Sequence, residues 1–130
     1  MDNKQKVAFI CTHNSCRSQI AEALGNYYLG DYFEFYSAGT EIKSEINQDA
    51  VRIMKETYGI DMEQNGQYNK LISDIPEPDI AISMGCGVRC PFIGRPFDDD
   101  WGLPDPTGQD DKTFFQVIQQ IEKNIKKLVE

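Results

Sequence analysis

The chain has 130 residues, 40% of them hydrophobic, and a formal net charge of −8, which is enough for one domain with its own apolar core and no disulfide staples. The acidic balance argues against a nucleic-acid or membrane-surface binder, either of which wants a basic face, and makes any anionic ligand depend on a local site. Residues 1–6 are polar and no run approaches membrane-spanning length, so a cytoplasmic protein is expected, and Cys11, Cys16, Cys86 and Cys90, in two close pairs, read as catalytic, redox or metal-binding thiols rather than structural bridges.

Val7, Ala8, Phe9 and Ile10 predict a short buried strand that stops at Cys11, after which Ile20, Ala21, Leu24 and either Tyr27 or Tyr28 recur at helical spacing. The loop between them therefore empties into a helix N-terminus, where unpaired N–H groups and the positive end of the dipole favour an anion. Arg17 adds a planar fork of donors that matches two oxygens of a tetrahedral oxyanion. A thiol at Cys11, held above those dipoles and near the guanidinium, is favoured as the thiolate and becomes a nucleophile.

Gly30 breaks the helix, and residues 33–37 predict a second strand ending at Ala38 and Gly39, which suggests a parallel crossover. Residues 47–58 predict a second helix, with Ala50, Val51, Met54 and Tyr58 on one face and Gly59 as its cap. Residues 61–70 are polar and ambiguous, and 71–73 fit either a short strand or a helical turn. Residues 78–84 are almost continuously apolar, as expected of a strand inside a parallel sheet, and end at Gly85 and Cys86. In open α/β sheets sites form beyond the carboxyl ends of strands, which would bring Cys86 toward Cys11. Residues 91–108 read as a long loop with one short strand at 95–97, with Asp98, Asp99 and Asp100 as a solvated turn and Trp101 as a loop anchor. Asp110 or Asp111 then caps a final helix whose Phe114, Val117, Ile118, Ile121, Ile125 and Leu128 form an apolar stripe, while Lys123, Lys126 and Lys127 face out.

Cys11, five intervening residues, Arg17 and Ser18 resemble the phosphate-binding loop of the low-molecular-weight protein tyrosine phosphatases and of the thiol-dependent arsenate reductases that share their fold. The run Asn14-Ser15-Cys16-Arg17-Ser18-Gln19-Ile20-Ala21-Glu22 is closer to the reductases. The resemblance implies an α/β fold: a three-layer open parallel sheet of about four strands flanked by helices, one domain over residues 1–130. It implies an oxyanion cradle of Thr12, His13, Asn14, Ser15, Cys16 and Arg17, with Asn14 tying the loop backbone together and Ser18 donating its hydroxyl to the Cys11 sulfur. His13 stands where Gly is common in both groups, and either narrows the mouth of the site or is an ordinary exposed loop residue. Cys16 could form an off-pathway disulfide with Cys11 or serve as an inert small side chain. Glu22 and Ser37 match positions that bind a potassium ion in some reductases.

Phosphatase-type chemistry needs a proton donor for the leaving oxygen, and a carboxylic acid on a loop can supply it. Asp105 followed by Pro106, before the last helix, matches the family's general acid. Cys86 and Cys90 bracket Gly87, Val88 and Arg89. For them the resemblance implies a relay: Cys11 attacks arsenate, Cys86 attacks Cys11 to release arsenite, and Cys90 attacks Cys86 to expose an outer disulfide. The best-known thioredoxin-coupled pattern separates these two cysteines by more residues, so Cys86 could instead resolve Cys11 alone, with a small thiol such as glutathione or a bacillithiol-like thiol completing the cycle. The expected partners are an arsenate or phosphate oxyanion and a thioredoxin- or glutaredoxin-type reductant or low-molecular-weight thiol, acting on a monomer that holds no tight cofactor and no metal. A zinc site of all four cysteines would occupy the nucleophile and leave Arg17 without a purpose. Two other classes compete with arsenate reduction. One is a phosphatase hydrolysing phosphate monoesters through a phosphocysteine on Cys11, with Asp105 as acid; the other is an oxyanion-binding or redox-sensing module.

Overall fold

A computed structural model describes residues 4–12, 16–39, 41, 45–85 and 97–129. His13, Asn14, Ser15, Cys86 and Cys90, all singled out above, lie outside the described residues, as do Arg95 and Pro96. The elements run β1 (Gln5–Ile10), α1 (Arg17–Leu29), β2 (Phe33–Ala38), α2 (Gln48–Tyr58), β3 (Ile80–Ser83), β4 (Asp99–Asp100) and α3 (Asp111–Lys126), with short 3₁₀ turns at Ile72–Asp74 and Lys127–Val129. The four strands form one parallel sheet in the order β2-β1-β3-β4. Its register pairs Ile10 with Ala38 on one side and with Ser83 on the other. Two strand ends, those of β1 and β3, thus stand side by side, and the candidate chemistry follows both.

Alternation along the strands sorts the core. Val7, Phe9, Phe35 and Ile82 point into one continuous cluster with Ile20 and Leu24 of α1, Ile53 and Met54 of α2, and Phe114, Ile118 and Ile121 of α3. Ala8, Ile10 and Ala38 face the other way, against Ile72, Ile75 and Phe97. α2 ends as its sequence predicts, with the Gly59 N–H returning to the carbonyls of Lys55 and Met54, and α3 starts at the expected cap Asp110, which accepts the Thr113 N–H; Asn47 caps α2 by accepting the Ala50 N–H, and α3 ends at Lys126, before Leu128. Arg52 on α2 forms a fork on Asp111 at the start of α3, at 2.8 and 3.2 Å.

One element departs from the sequence reading. Phe97 belongs to no strand, and the edge strand falls instead on Asp99 and Asp100, expected to be a solvated turn. Asp98 N–H donates to the Ala81 carbonyl at 2.8 Å, Trp101 N–H to the Ser83 carbonyl at 2.9 Å, and Ala81 N–H to the Asp98 carboxylate at 2.7 Å. An edge strand needs a partner on one side only and leaves its charged side chains in water, so an acidic composition does not prevent it. Trp101 anchors this strand as expected, with its ring 5.2 Å from that of Phe9 and its Nε1 donating to Asp99. The ambiguous stretch at 71–73 resolves as a 3₁₀ turn from Ile72, with Leu71 making a single bridge to Gly39.

Candidate active site

Cys11 follows the last residue of β1, so the sheet fixes its backbone: its N–H donates to the Ala38 carbonyl at 3.2 Å. The Thr12 carbonyl next to it accepts the Glu41 N–H at 3.0 Å. The chain from β2 passes so close here that a Cβ on Gly39 would lie 2.5 Å from the Thr12 oxygen and 2.7 Å from the Cys11 oxygen. Only glycine lets the two strand ends approach in this way.

α1 begins at Arg17, with Cys16 as its N-cap residue and the Cys16 carbonyl accepting the Ile20 N–H at 3.0 Å. One residue into the helix, the buried Ser18 hydroxyl lies 3.3 Å from the Cys11 sulfur. A hydroxyl at that distance donates to a thiolate and stabilises it. Of the residues singled out in the sequence, the structure brings Cys11, itself buried, together with Ser18, and Arg17 precedes Ser18 as the first residue of α1.

Arg17 carries a contact that spacing alone did not reveal. Its Nη1 donates to the Leu103 carbonyl at 2.6 Å, to the Met84 carbonyl at 3.0 Å and to the Gly85 carbonyl at 3.4 Å. These oxygens belong to the end of β3 and to the loop that leads on to Asp105. One guanidinium thus fixes three segments relative to each other and takes its own orientation from them. Gly85 makes the arrangement possible: its φ is +99°, and a Cβ there would meet the Gly102 and Leu103 backbone at 2.6–2.8 Å. Its position at a strand end is the one signal in the sequence that pointed here.

Asp105 lies on the exposed loop before α3, where its Oδ1 accepts both the N–H and the hydroxyl of Thr107, at 3.0 and 2.6 Å. Pro106 is buried beneath it. Thr107 also stands near enough to the thiol of Cys16 to favour its ionised form slightly. Burial, followed by the negative charges of Asp105 and Cys11, pushes that thiol up from its ordinary 9.0 to about 12, against the smaller opposing effects of Thr107 and Arg17. Cys16 is thus a neutral thiol at physiological pH, wedged between the oxyanion loop and the acid loop.

Behind the loop, Glu22 of α1 accepts the Ser37 hydroxyl at 2.7 Å and pairs with the Lys70 ammonium at 3.4 Å, with both charged side chains nearly buried. Lys70 is further held by the Tyr68 carbonyl at 2.9 Å and lies 4.8 Å from the Tyr68 ring centroid. This arrangement does not fit a resident potassium ion on Glu22 and Ser37, because the charge such an ion would neutralise is already met by Lys70, a residue that sequence reasoning passed over. Its isolated position in a polar stretch gave no periodic signal.

The comparisons with known proteins agree with this geometry. Residues 6–130 match the model of the low molecular weight phosphotyrosine protein phosphatases. The chain is 36% identical to arsenate reductase 1 of Bacillus cereus, over 100% of this chain and 98% of that one. Its fold superposes on an arsenate reductase solved in the phosphate-binding state with a TM-score of 0.81, at 34% identity and 96% coverage of both chains. The thioredoxin-dependent arsenate reductase of Corynebacterium glutamicum matches with a TM-score of 0.72 at 33% identity, over 98% of this chain and 61% of that one. The chain belongs to the low molecular weight phosphotyrosine protein phosphatase family.

Proposed function

We propose that the protein reduces arsenate to arsenite, with Cys11 as nucleophile. The observation that carries this reading is the Cys11 sulfur at 3.3 Å from Ser18, at the end of a parallel strand and beside Arg17 as the first residue of α1. That arrangement attacks a tetrahedral oxyanion, and the arsenate reductases among its relatives favour arsenate over a phosphate ester.

In the first step the Cys11 thiolate bonds to arsenic while an As–O bond breaks, and Asp105 gives its proton to the departing oxygen, which leaves as water. With Nη1 of Arg17 fixed by backbone carbonyls, the remaining guanidinium nitrogens and the loop N–H groups of residues 12–17 hold the other oxygens. In the second step the Cys86 thiolate attacks the Cys11 sulfur. A disulfide forms, the electron pair of the S–As bond passes to arsenic, and As(V) leaves as arsenite. Cys90 then displaces Cys11 from Cys86, and a thioredoxin- or glutaredoxin-type protein or a small thiol reduces the resulting disulfide. The thioredoxin-dependent relative supports the first kind of reductant. A thiol relay of this sort belongs in the reducing cytoplasm, where thiols are restored.

A single-turnover experiment tests the reading. Pre-reduced protein is mixed with arsenate without reductant, free thiols are counted and disulfides mapped by mass spectrometry. Loss of two thiols as Cys86–Cys90 or Cys11–Cys86 is expected, abolished in Cys11→Ser. Cys86→Ser should lose arsenate reduction yet still hydrolyse an aryl phosphate. Retention of all four thiols with aryl phosphate hydrolysed would make the protein a phosphatase instead.

A further inference from the structure

Among the described residues Lys70 is the only lysine or arginine that is buried, at 7% exposed. A charge is costly to bury unless an opposite charge and hydrogen bonds meet it, so its surroundings are built for a cation. Its Nζ stands 3.4 Å from Glu22 Oε1 and donates to the Tyr68 carbonyl at 2.9 Å. Both oxygens are also held by groups other than the ammonium. The Ser37 hydroxyl donates to Glu22 Oε1 at 2.7 Å, and the buried Gln19 amide donates to the Tyr68 carbonyl at 2.8 Å while accepting from Gln67 at 2.9 Å. A carboxylate and a carbonyl fixed in this way are hard oxygens that suit an alkali cation as well as an ammonium.

Both arms of the ion pair lead to Cys11. Glu22 lies one turn along α1 from Ser18, on the same face, and the Ser18 hydroxyl is 3.3 Å from the Cys11 sulfur. Ser37 sits in β2 opposite Phe9 of β1 and precedes Ala38, whose carbonyl accepts the Cys11 N–H at 3.2 Å. The Lys70 backbone adds a third link, since its carbonyl accepts the Gly39 N–H at 2.9 Å and Gly39 packs on the Cys11 and Thr12 carbonyls. We propose that Lys70 is a positioning residue for the nucleophile loop: its ammonium is a tethered counterpart of a bound monovalent cation, joining α1 to β2 beneath Cys11 and making the loop independent of any free ion. This deepens the reading of Cys11 as the nucleophile and rests on it. Without the ammonium, Glu22 keeps a buried charge that nothing neutralises, and a negative charge one helical turn from Ser18 disfavours a thiolate at Cys11. The ammonium fills the cradle in the wild type, so a free cation can enter only where the side chain is shortened.

The test compares pre-reduced, full-length wild type, Lys70→Ala and Lys70→Met in about 150 mM potassium chloride and in tetramethylammonium chloride of equal ionic strength, whose cation is too bulky for the cradle. Alanine leaves the oxygens around a gap, whereas methionine fills the gap with an uncharged chain. The readings are the thermal unfolding midpoint and the pH dependence of Cys11 alkylation by iodoacetamide, followed by mass spectrometry. Wild type should unfold within about 1 °C, and react alike, in the two salts. Lys70→Ala should unfold at least about 4 °C higher in potassium than in tetramethylammonium. In tetramethylammonium its Cys11 should react about tenfold more slowly than wild type at pH 7, with the midpoint of the profile raised by about one pH unit, and potassium should restore most of both. Lys70→Met should not respond to potassium. A Lys70→Ala protein that behaves alike in the two salts, folded or unfolded in both, overturns the proposal, as does a wild type that gains from potassium. A potassium effect on unfolding that leaves Cys11 alkylation unchanged also overturns it, since the pair would then be purely structural. Arsenate consuming thiols in Cys11→Ser would instead remove the nucleophile assignment, a separate result because the unfolding midpoints do not depend on turnover.

Discussion

Ser18 and Cys16 treat their neighbours in opposite ways, and both effects can be measured one residue at a time. Ser18 offers Cys11 a buried hydroxyl at 3.3 Å, and its loss withdraws a hydrogen bond from the thiolate that must form for attack, an interaction of about 1.5–3 kcal/mol. Ser18→Ala should therefore slow alkylation of Cys11 by iodoacetamide at pH 7 by about tenfold or more, read by mass spectrometry. Cys16 is held up near 12 by burial, so the folded protein keeps its proton over a range in which the unfolded chain, ionising near 9, releases it. The sign follows directly. Below pH 9 the group makes no difference to stability with pH; between about 9 and 12 the native state binds more protons than the unfolded state, and stability falls. The slope approaches ~1.4 kcal/mol per pH unit for this one group. Urea midpoints at pH 8 and 10.5 should show a drop in the wild type that is smaller in Cys16→Ser, whose hydroxyl does not titrate. An equal drop in both would mean that other groups govern alkaline unfolding.

Elements meet at the site through contacts that join distant parts of the chain, and here the sequence was only partly legible. The strand before Cys11 and the helix after it were readable because apolar periodicity is local. So were the caps Gly59 and Asp110, which act on residues within one turn. The three carbonyls on Arg17 were not, since any residue can offer a carbonyl and only the fold decides which ones converge. Lys70 was hidden for the same reason: its partner Glu22 is far away in the chain, and an isolated lysine in a polar stretch looks like surface. Both hidden features make predictions. Gly85→Ala forces a side chain into the Gly102–Leu103 backbone and should loosen the Arg17 anchor, weakening inorganic phosphate binding about tenfold, on the scale of one charged hydrogen bond, as read by calorimetry. Lys70→Met leaves Glu22 buried with its charge uncompensated and should cost about 3–5 kcal/mol by denaturant titration. The double variant with Glu22→Gln should recover much of that loss, because the charge and its partner are removed together.

At the scale of the whole molecule, a protein with a net charge of −8 is proposed to capture an oxyanion of the same sign. The attraction must come from a few groups at one place: the α1 N-terminus, the loop N–H groups and Arg17, set against a field from 21 acidic residues and 13 basic ones. Some of those acids lie close by, since Asp99, Asp100 and Asp105 occupy exposed positions on the segment that runs past the site. The long-range and short-range effects respond differently to salt. At 0.15 M ionic strength the Debye length is about 8 Å, so repulsion from distant surface carboxylates is screened, whereas donors touching the bound anion inside a partly buried loop are screened far less. Raising sodium chloride from about 10 to 150 mM shortens that length from roughly 30 to 8 Å. It should therefore increase kcat/KM for arsenate by severalfold and leave kcat nearly unchanged, because approach is affected and the bound complex is not. The opposite slope, with kcat/KM falling as salt rises, would mean that the anion is drawn in by a positive field extending well beyond Arg17. The capture site would then be larger than the loop between β1 and α1.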